Sequence, residues 1–225
     1  MAYTAIDNPE AYFQVKLYTG DGSTPSITLD GDTDMQPDLV WIKNRDEADS
    51  HCLFDSVRTA AEVIYSDADT AETTDADTLT SFDSDGFALG ADVKVNTDTE
   101  AYVAWCWKES ATSGFDIVTY TGNGSNRTIA HGLSAKPAMI FVKQTSATRS
   151  WWVYNKNLDG TDGATGVLYL NTTDAAGTNA TTSWNSTAPT TSVFSLGTTV
   201  GVNQDTGTYI AYCFAEKQGF SKFGS

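Results

Sequence analysis

The chain has 225 residues, with 29 acidic and 13 basic side chains and a formal net charge of −16, a length that suits one large domain or two of about 100 residues. With 40% hydrophobic and 19% charged residues it is neither a disordered chain nor a coiled-coil rod, and no run reaches the ~18 apolar residues of a membrane helix. The acidity sets phosphate backbones and anionic membranes aside, so neither nucleic-acid binding nor membrane insertion is expected.

The opening stretch, Met-Ala-Tyr-Thr-Ala-Ile-Asp, offers neither a basic region nor an apolar run, so no signal peptide is expected. Residues 13–22 (Phe-Gln-Val-Lys-Leu-Tyr-Thr-Gly-Asp-Gly) form a first β-rich block that ends in a turn. Residues 30–34 (Asp-Gly-Asp-Thr-Asp) open like a Ca²⁺-binding EF-hand loop. That reading fails, because Met35 stands where the sharp turn needs glycine and Trp41 where a bidentate glutamate is needed. Residues 37–43 and 51–55 are short β-branched and aromatic runs bounded by Pro and polar turns, which predicts strands. Helical periodicity is almost absent, and its best stretch is a short helix over 56–65. Then come three carboxylate pairs, Asp67 and Asp69, Asp75 and Asp77, and Asp83 and Asp85. A loop of this kind could hold Ca²⁺ through several oxygens, although such stretches are more often solvated. Residues 85–90 and 95–107 complete the first half.

From residue 115 the plan returns. Residues 115–124 repeat 13–22 at an offset of 102, and 137–143 repeat 37–43 at an offset of 100. Residues 151–155 stand opposite 51–55, 167–169 opposite 63–65, and 192–197 opposite 85–90. Residues 202–205 and 209–214 answer 95–98 and 102–107 at an offset of 107, so the insertions fall in loops. Six collinear matches predict two homologous modules, 1–110 and 111–225, joined around 109–114. Residues 219–225 would be either the start of a further module or a tail. The expected fold class is all-β, with two antiparallel β-sandwich modules in tandem.

The last strand of each module is apolar on both faces. Tyr102, Ala104 and Cys106 oppose Val103, Trp105 and Trp107, just as Tyr209, Ala211 and Cys213 oppose Ile210, Tyr212 and Phe214. Such a strand is central in a covered sheet, or it turns one face to a neighbouring module or subunit. Cys52, Cys106 and Cys213 are expected as free buried thiols, with Cys106 and Cys213 as equivalent small core residues.

Catalytic chemistry is thinly represented. His51 aligns with Trp151, His131 sits in an Ile-Ala-His-Gly turn, and no nucleophile elbow, phosphate loop, dinucleotide fingerprint or zinc spacing occurs. No catalytic residue and no cofactor is expected. Aromatic residues are the better signal. Trp151 and Trp152 are consecutive on a strand, and Trp184 lies in a Thr/Ser/Asn-rich stretch. Either these three pack the module core, or their exposed faces form a ligand platform or interface.

The repeated blocks resemble a module found in virion structural proteins of marine tailed bacteriophages, such as tail fibres and related appendages. The resemblance is carried by residues 13–22, 37–46, 51–58, 78–90 and 102–108 in the first copy. In the second it is carried by 114–124, 129–143, 151–155 and 209–217. It implies a β-rich virion component assembled in the host cytoplasm, in contact with other virion proteins, and usually a homo-oligomer, most often a trimer.

The leading expectation is therefore a non-enzymatic tail fibre or appendage component, with host attachment as its context. A capsid-decorating cement protein is the alternative, and a glycan-binding module or depolymerase acting on host surface glycan is the third. Charge separates the two halves. Residues 1–109 hold 23 acidic and 6 basic side chains, net −17, whereas 110–225 hold 6 and 7, net +1. For the cement alternative, the near-neutral half would be the better candidate for a docking face, while the acidic half would stay solvated and repel its copies.

Overall fold

A computed structural model describes residues 4–158, 162–178 and 180–224. It is an all-β, antiparallel, sandwich-like structure in two compact units. Asn8–Ala68 and Glu72–Glu109 form the first unit, and Ser110–Ser225 form the second together with Met1–Asp7 and Asp69–Ala71.

The first unit runs β1 (Phe13–Thr19), β2 (Ser26–Thr28), β3 (Leu39–Asn44), β4 (Cys52–Asp55), β5 (Glu62–Tyr65), β6 (Thr73–Thr74), β7 (Leu79–Asp83) and β8 (Gly86–Leu89). A single-turn helix α1 (Val93–Asn96) and β9 (Ala101–Trp107) complete it. One sheet has the order β1-β9-β3-β4-β5-β6 and the other β2-β8-β7. Alternation along β9 sends Tyr102, Ala104 and Cys106 inward, where they join Val40, Ile42, Phe54, Phe87 and Leu89 in one buried cluster. The opposite face is apolar as well. Phe13 pairs with Trp107, Val15 with Trp105 and Leu17 with Val103 across β1 and β9, while Trp41 pairs with Trp105 across β3 and β9. The rings of Trp41 and Trp105 lie 6.1 Å apart, and those of Phe13 and Trp107 5.0 Å apart.

The helix expected over residues 56–65 does not form. Thr59 and Ala61 take left-handed φ values of 85° and 70°, which no right-handed helix accommodates. The chain instead enters β5, where Leu53 pairs with Ile64 and Cys52 with Tyr65. Arg58 fixes the turn, donating through Nε to Asp55 and through Nη1 to Glu72, both at 2.6 Å.

The second unit runs β10 (Phe115–Thr121), β11 (Arg127–Ala130), β12 (Met139–Gln144), β13 (Trp152–Asn155) and β14 (Leu168–Tyr169). Then come α2 (Ala180–Ser183), β15 (Val193–Leu196), α3 (Val200–Asn203) and β16 (Thr208–Phe214). Its sheets have the orders β10-β16-β12-β13-β14 and β11-β15. Tyr209, Ala211 and Cys213 face a core with Ile129, Ile140, Phe194 and Leu196. The other face of the larger sheet is also closed: Phe115, Ile117, Trp151, Val153, Ile210 and Tyr212 are all buried. Lys143 is fully buried in this layer, and its ammonium donates to the carbonyls of Gln144, Arg149 and Asp69. Residues 219–224 lie along this unit: Phe223 packs on Phe214, its amide donates to Glu216, and Asn155 donates to the Gly224 carbonyl. Ser225, the last residue of the expected tail, lies outside the described residues.

One device appears in both units and accounts for the repeated Tyr-Thr-Gly and Val-Asn blocks. The buried Asn96 accepts from the Asp21 amide and donates to the carbonyls of Ser23 and Gly90. Asn203 likewise accepts from the Asn123 amide and donates to Ser125 and Gly197. Tyr18 stacks on Tyr102 with centroids 5.1 Å apart, and Tyr120 on Tyr209 at 5.0 Å. The Tyr18 hydroxyl donates to the Val95 carbonyl, and that of Tyr120 to Val202. Gly122 is required by space: a Cβ there would meet the Gln204 carbonyl oxygen at 2.1 Å, as one at Gly20 would meet that of Thr97.

Candidate binding site

The three tryptophans singled out by sequence are not brought together. Trp151 is fully buried, stacks on Tyr212 at 6.2 Å, and donates its backbone N–H to the Asn171 side-chain oxygen. Trp184 is 2% exposed. Its indole N–H donates to the Gly166 carbonyl at 3.1 Å and its ring meets Tyr154 edge-on at 6.0 Å. The reading of Trp151 and Trp184 as surface platforms is corrected accordingly. α2 breaks the Thr/Ser/Asn-rich stretch just before Trp184, and the following turn carries the indole into the core. Both rings are packing groups.

Trp152 is different. As the first residue of β13 it points away from Trp151, is half-buried, and forms one wall of an open cavity of about 330 Å³. Tyr169 of β14, its partner across the strand pair, meets the indole edge-to-face with centroids 5.0 Å apart. Gly201 and Val200 of α3 line the cavity beside the indole, and Arg149, Ser150 and Asp174 supply its polar groups. A Cβ at Gly201 would lie 2.0 Å from Trp152 Nε1, so the indole occupies the space a side chain would take. Among the described residues the Arg149 guanidinium forms no ion pair, and its one hydrogen bond goes to the Thr148 carbonyl. Asp174 accepts from the Thr172 hydroxyl at 2.9 Å. Burial and the Asp174 carboxylate both push the Tyr169 hydroxyl pKa up, so the phenol stays protonated at neutral pH.

The six aspartates of residues 67–85 do not converge either. Asp67 accepts from the His51 amide, Asp75 from the Asp77 amide, and Asp77 from the Ala91 amide. Asp83 accepts from the Ser81 hydroxyl and Asp85 from the Met35 amide, while Asp69 contributes its backbone carbonyl to Lys143 and Arg149. The carboxylates that make these bonds serve separate partners, and no group of three His, Cys, Asp or Glu side chains among the described residues is arranged to hold a metal ion. His131 is a turn residue whose Nε2 lies 3.3 Å from the Thr190 carbonyl, with its pKa lowered by burial. All three cysteines are free and buried. Burial raises each thiol pKa, that of Cys106 to about 12, which keeps them protonated and unreactive.

A family model described as a domain of unknown function, DUF7483, matches residues 8–225. The chain belongs to the DUF7483 family. No curated protein and no solved structure matches it. The DUF7483 match runs through both units, and the cavity at Trp152 lies wholly in the second.

Sequence reasoning named Trp152 but missed Arg149, Tyr169, Asp174 and Gly201. A signal for two of these was available in the paired blocks of the DUF7483 chain. Where the first copy has Cys52 and Lys94, the second has Trp152 and Gly201. A small residue has become large on β13 while a large one has become small on α3, so the two changes compensate in volume. Arg149 and Asp174 sit in exposed loops with no such signature.

Proposed function

We propose that this DUF7483 chain is a non-enzymatic structural protein of a tailed-bacteriophage virion, a fibre or appendage component that works as a homo-oligomer, with a trimer favoured. Beside the resemblance of its repeated blocks, one observation carries the reading. The first unit builds a second apolar layer on the outer face of its larger sheet, and that layer continues into exposed side chains. Val15 is 47% and Leu17 58% exposed on the edge strand β1, next to the half-buried Trp105 and Val103. Neighbouring exposed aliphatics at the rim of an aromatic layer suit contact with another protein chain better than contact with water.

Sedimentation of the purified chain at micromolar concentration, beside the variant with Val15→Lys and Leu17→Lys, tests the assembly. The expected result is an oligomer for the parent chain and a folded monomer for the double variant. A parent chain that sediments as a monomer would sink the reading. Antibody labelling on intact particles then gives the position, with tail appendages expected to be decorated.

A further inference from the structure

We propose that the cavity at Trp152 is a sugar-binding site that takes one pyranose ring of a glycan. The proposal rests on the chemistry of this cavity alone and is independent of the virion reading.

Size comes first. About 330 Å³ stands at the small end of ligand sites, and the cavity is open to solvent on one side, which suits one ring of a longer chain better than an enclosed small molecule. Its aromatic wall is held rigidly. Tyr169 meets the Trp152 ring edge-to-face, and the backbone of Gly201 lies so close that no side chain fits between. A fixed indole beside a protonated phenol offers an apolar surface to the C–H face of a pyranose at little cost in side-chain entropy.

The polar rim carries both kinds of hydrogen-bonding group. Arg149 brings donors that no carboxylate has taken, and neither the Trp152 indole N–H nor the Tyr169 hydroxyl is hydrogen-bonded within the described residues. Asp174 brings carboxylate acceptors, only one of which receives the Thr172 hydroxyl. Donors and an acceptor around an aromatic wall match the alternating donor and acceptor character of sugar hydroxyls. A phosphate fits less well, because the single cation shares the rim with a carboxylate.

The corresponding positions of the first unit, Cys52 and Lys94, provide no such wall. Lys94 turns instead to Asp92, its Nζ 3.3 Å from the carboxylate. One site per chain is therefore expected.

Saturation-transfer NMR on the full chain tests this, with glucose, galactose, mannose, N-acetylglucosamine and glucuronate each offered at tens of millimolar. A single ring on an open site is expected to bind with a Kd on the order of 1 mM. Transfer from at least one sugar is expected, falling at least about tenfold in Trp152→Ala. Because Trp152→Ala removes a packing group, Arg149→Ala and Asp174→Asn are measured beside it. Both residues are exposed, so their variants are expected to keep the parent melting temperature while losing binding. Absence of transfer from every sugar overturns the proposal. So does transfer that survives unchanged in both rim variants, or displacement of the sugar by inorganic phosphate at equal concentration.

Discussion

Asn203 Oδ1 accepts the backbone N–H of Asn123 at 3.0 Å, across 80 residues of sequence. With its two Nδ2 bonds to the Ser125 and Gly197 carbonyls, this one fully buried amide ties the β10–β11 turn to the segment between β15 and α3. Replacing Asn203 by Leu keeps the branching and the number of side-chain heavy atoms and removes all three bonds, leaving three backbone groups to seek other partners. The expected cost is about 3 kcal/mol, at roughly 1 kcal/mol per neutral hydrogen bond. Urea denaturation of the variant checks it, and a loss below about 1 kcal/mol would show that water replaces the amide at little cost.

The two lysines one residue before the ends of β3 and β12 differ in surroundings. Lys143 is fully buried with its ammonium on three carbonyls, whereas Lys43 is half-buried and donates to the carbonyls of Asn44 and Glu47. Lys143→Met orphans more acceptors and is expected to cost about 2–4 kcal/mol, with Lys43→Met costing less than half as much. Equal midpoints for the two variants in the same denaturant titration would contradict this.

Acid sensitivity is expected where residues 219–224 lie against the second unit. The Lys156 ammonium, hydrogen-bonded to Glu216 at 2.5 Å, and then the Phe223 amide, lower the Glu216 pKa from its ordinary value of 4.5. A carboxyl whose folded pKa is depressed adds stability above its unfolded pKa, and that stability disappears as pH falls through the folded value. The contribution is present at pH 7 and is lost as the pH falls below the ordinary carboxyl value and through the lowered one. Glu216→Gln is therefore expected to speed amide exchange at Phe223 at neutral pH, with variant and parent converging in acid. A difference that persists at pH 3 would assign the effect to something other than this ion pair.

Several elements were legible in the sequence because their information is local. The runs around Trp41, Phe141, Tyr102 and Tyr209 are short, rich in β-branched and aromatic residues and bounded by turn residues, and each is a strand. The double apolarity of β9 and β16 was equally plain, and both faces do carry packing layers. The stretch over 56–65 misled because its apolar spacing is helix-like, while the pairing of β5 with β4 and the anchoring of Arg58 by Asp55 and Glu72 depend on residues beyond it.

The Trp residues divide in the same way. That Trp151 and Trp152 point to opposite sides follows from strand geometry alone. Which side would be buried, and what the open side would meet, depended on Tyr212 sixty residues away and on Gly201 nearly fifty away. Composition and the short β-branched and aromatic runs thus determined an acidic, all-β chain. Only the tertiary structure decided that Trp184 is a core residue, that the aspartates of residues 67–85 do not converge, and that one cavity gathers an indole, a phenol, a guanidinium and a carboxylate. The physical reason is that backbone propensity and side-chain alternation act between near neighbours in the chain, whereas burial and binding geometry arise from residues that meet only when the sheets close.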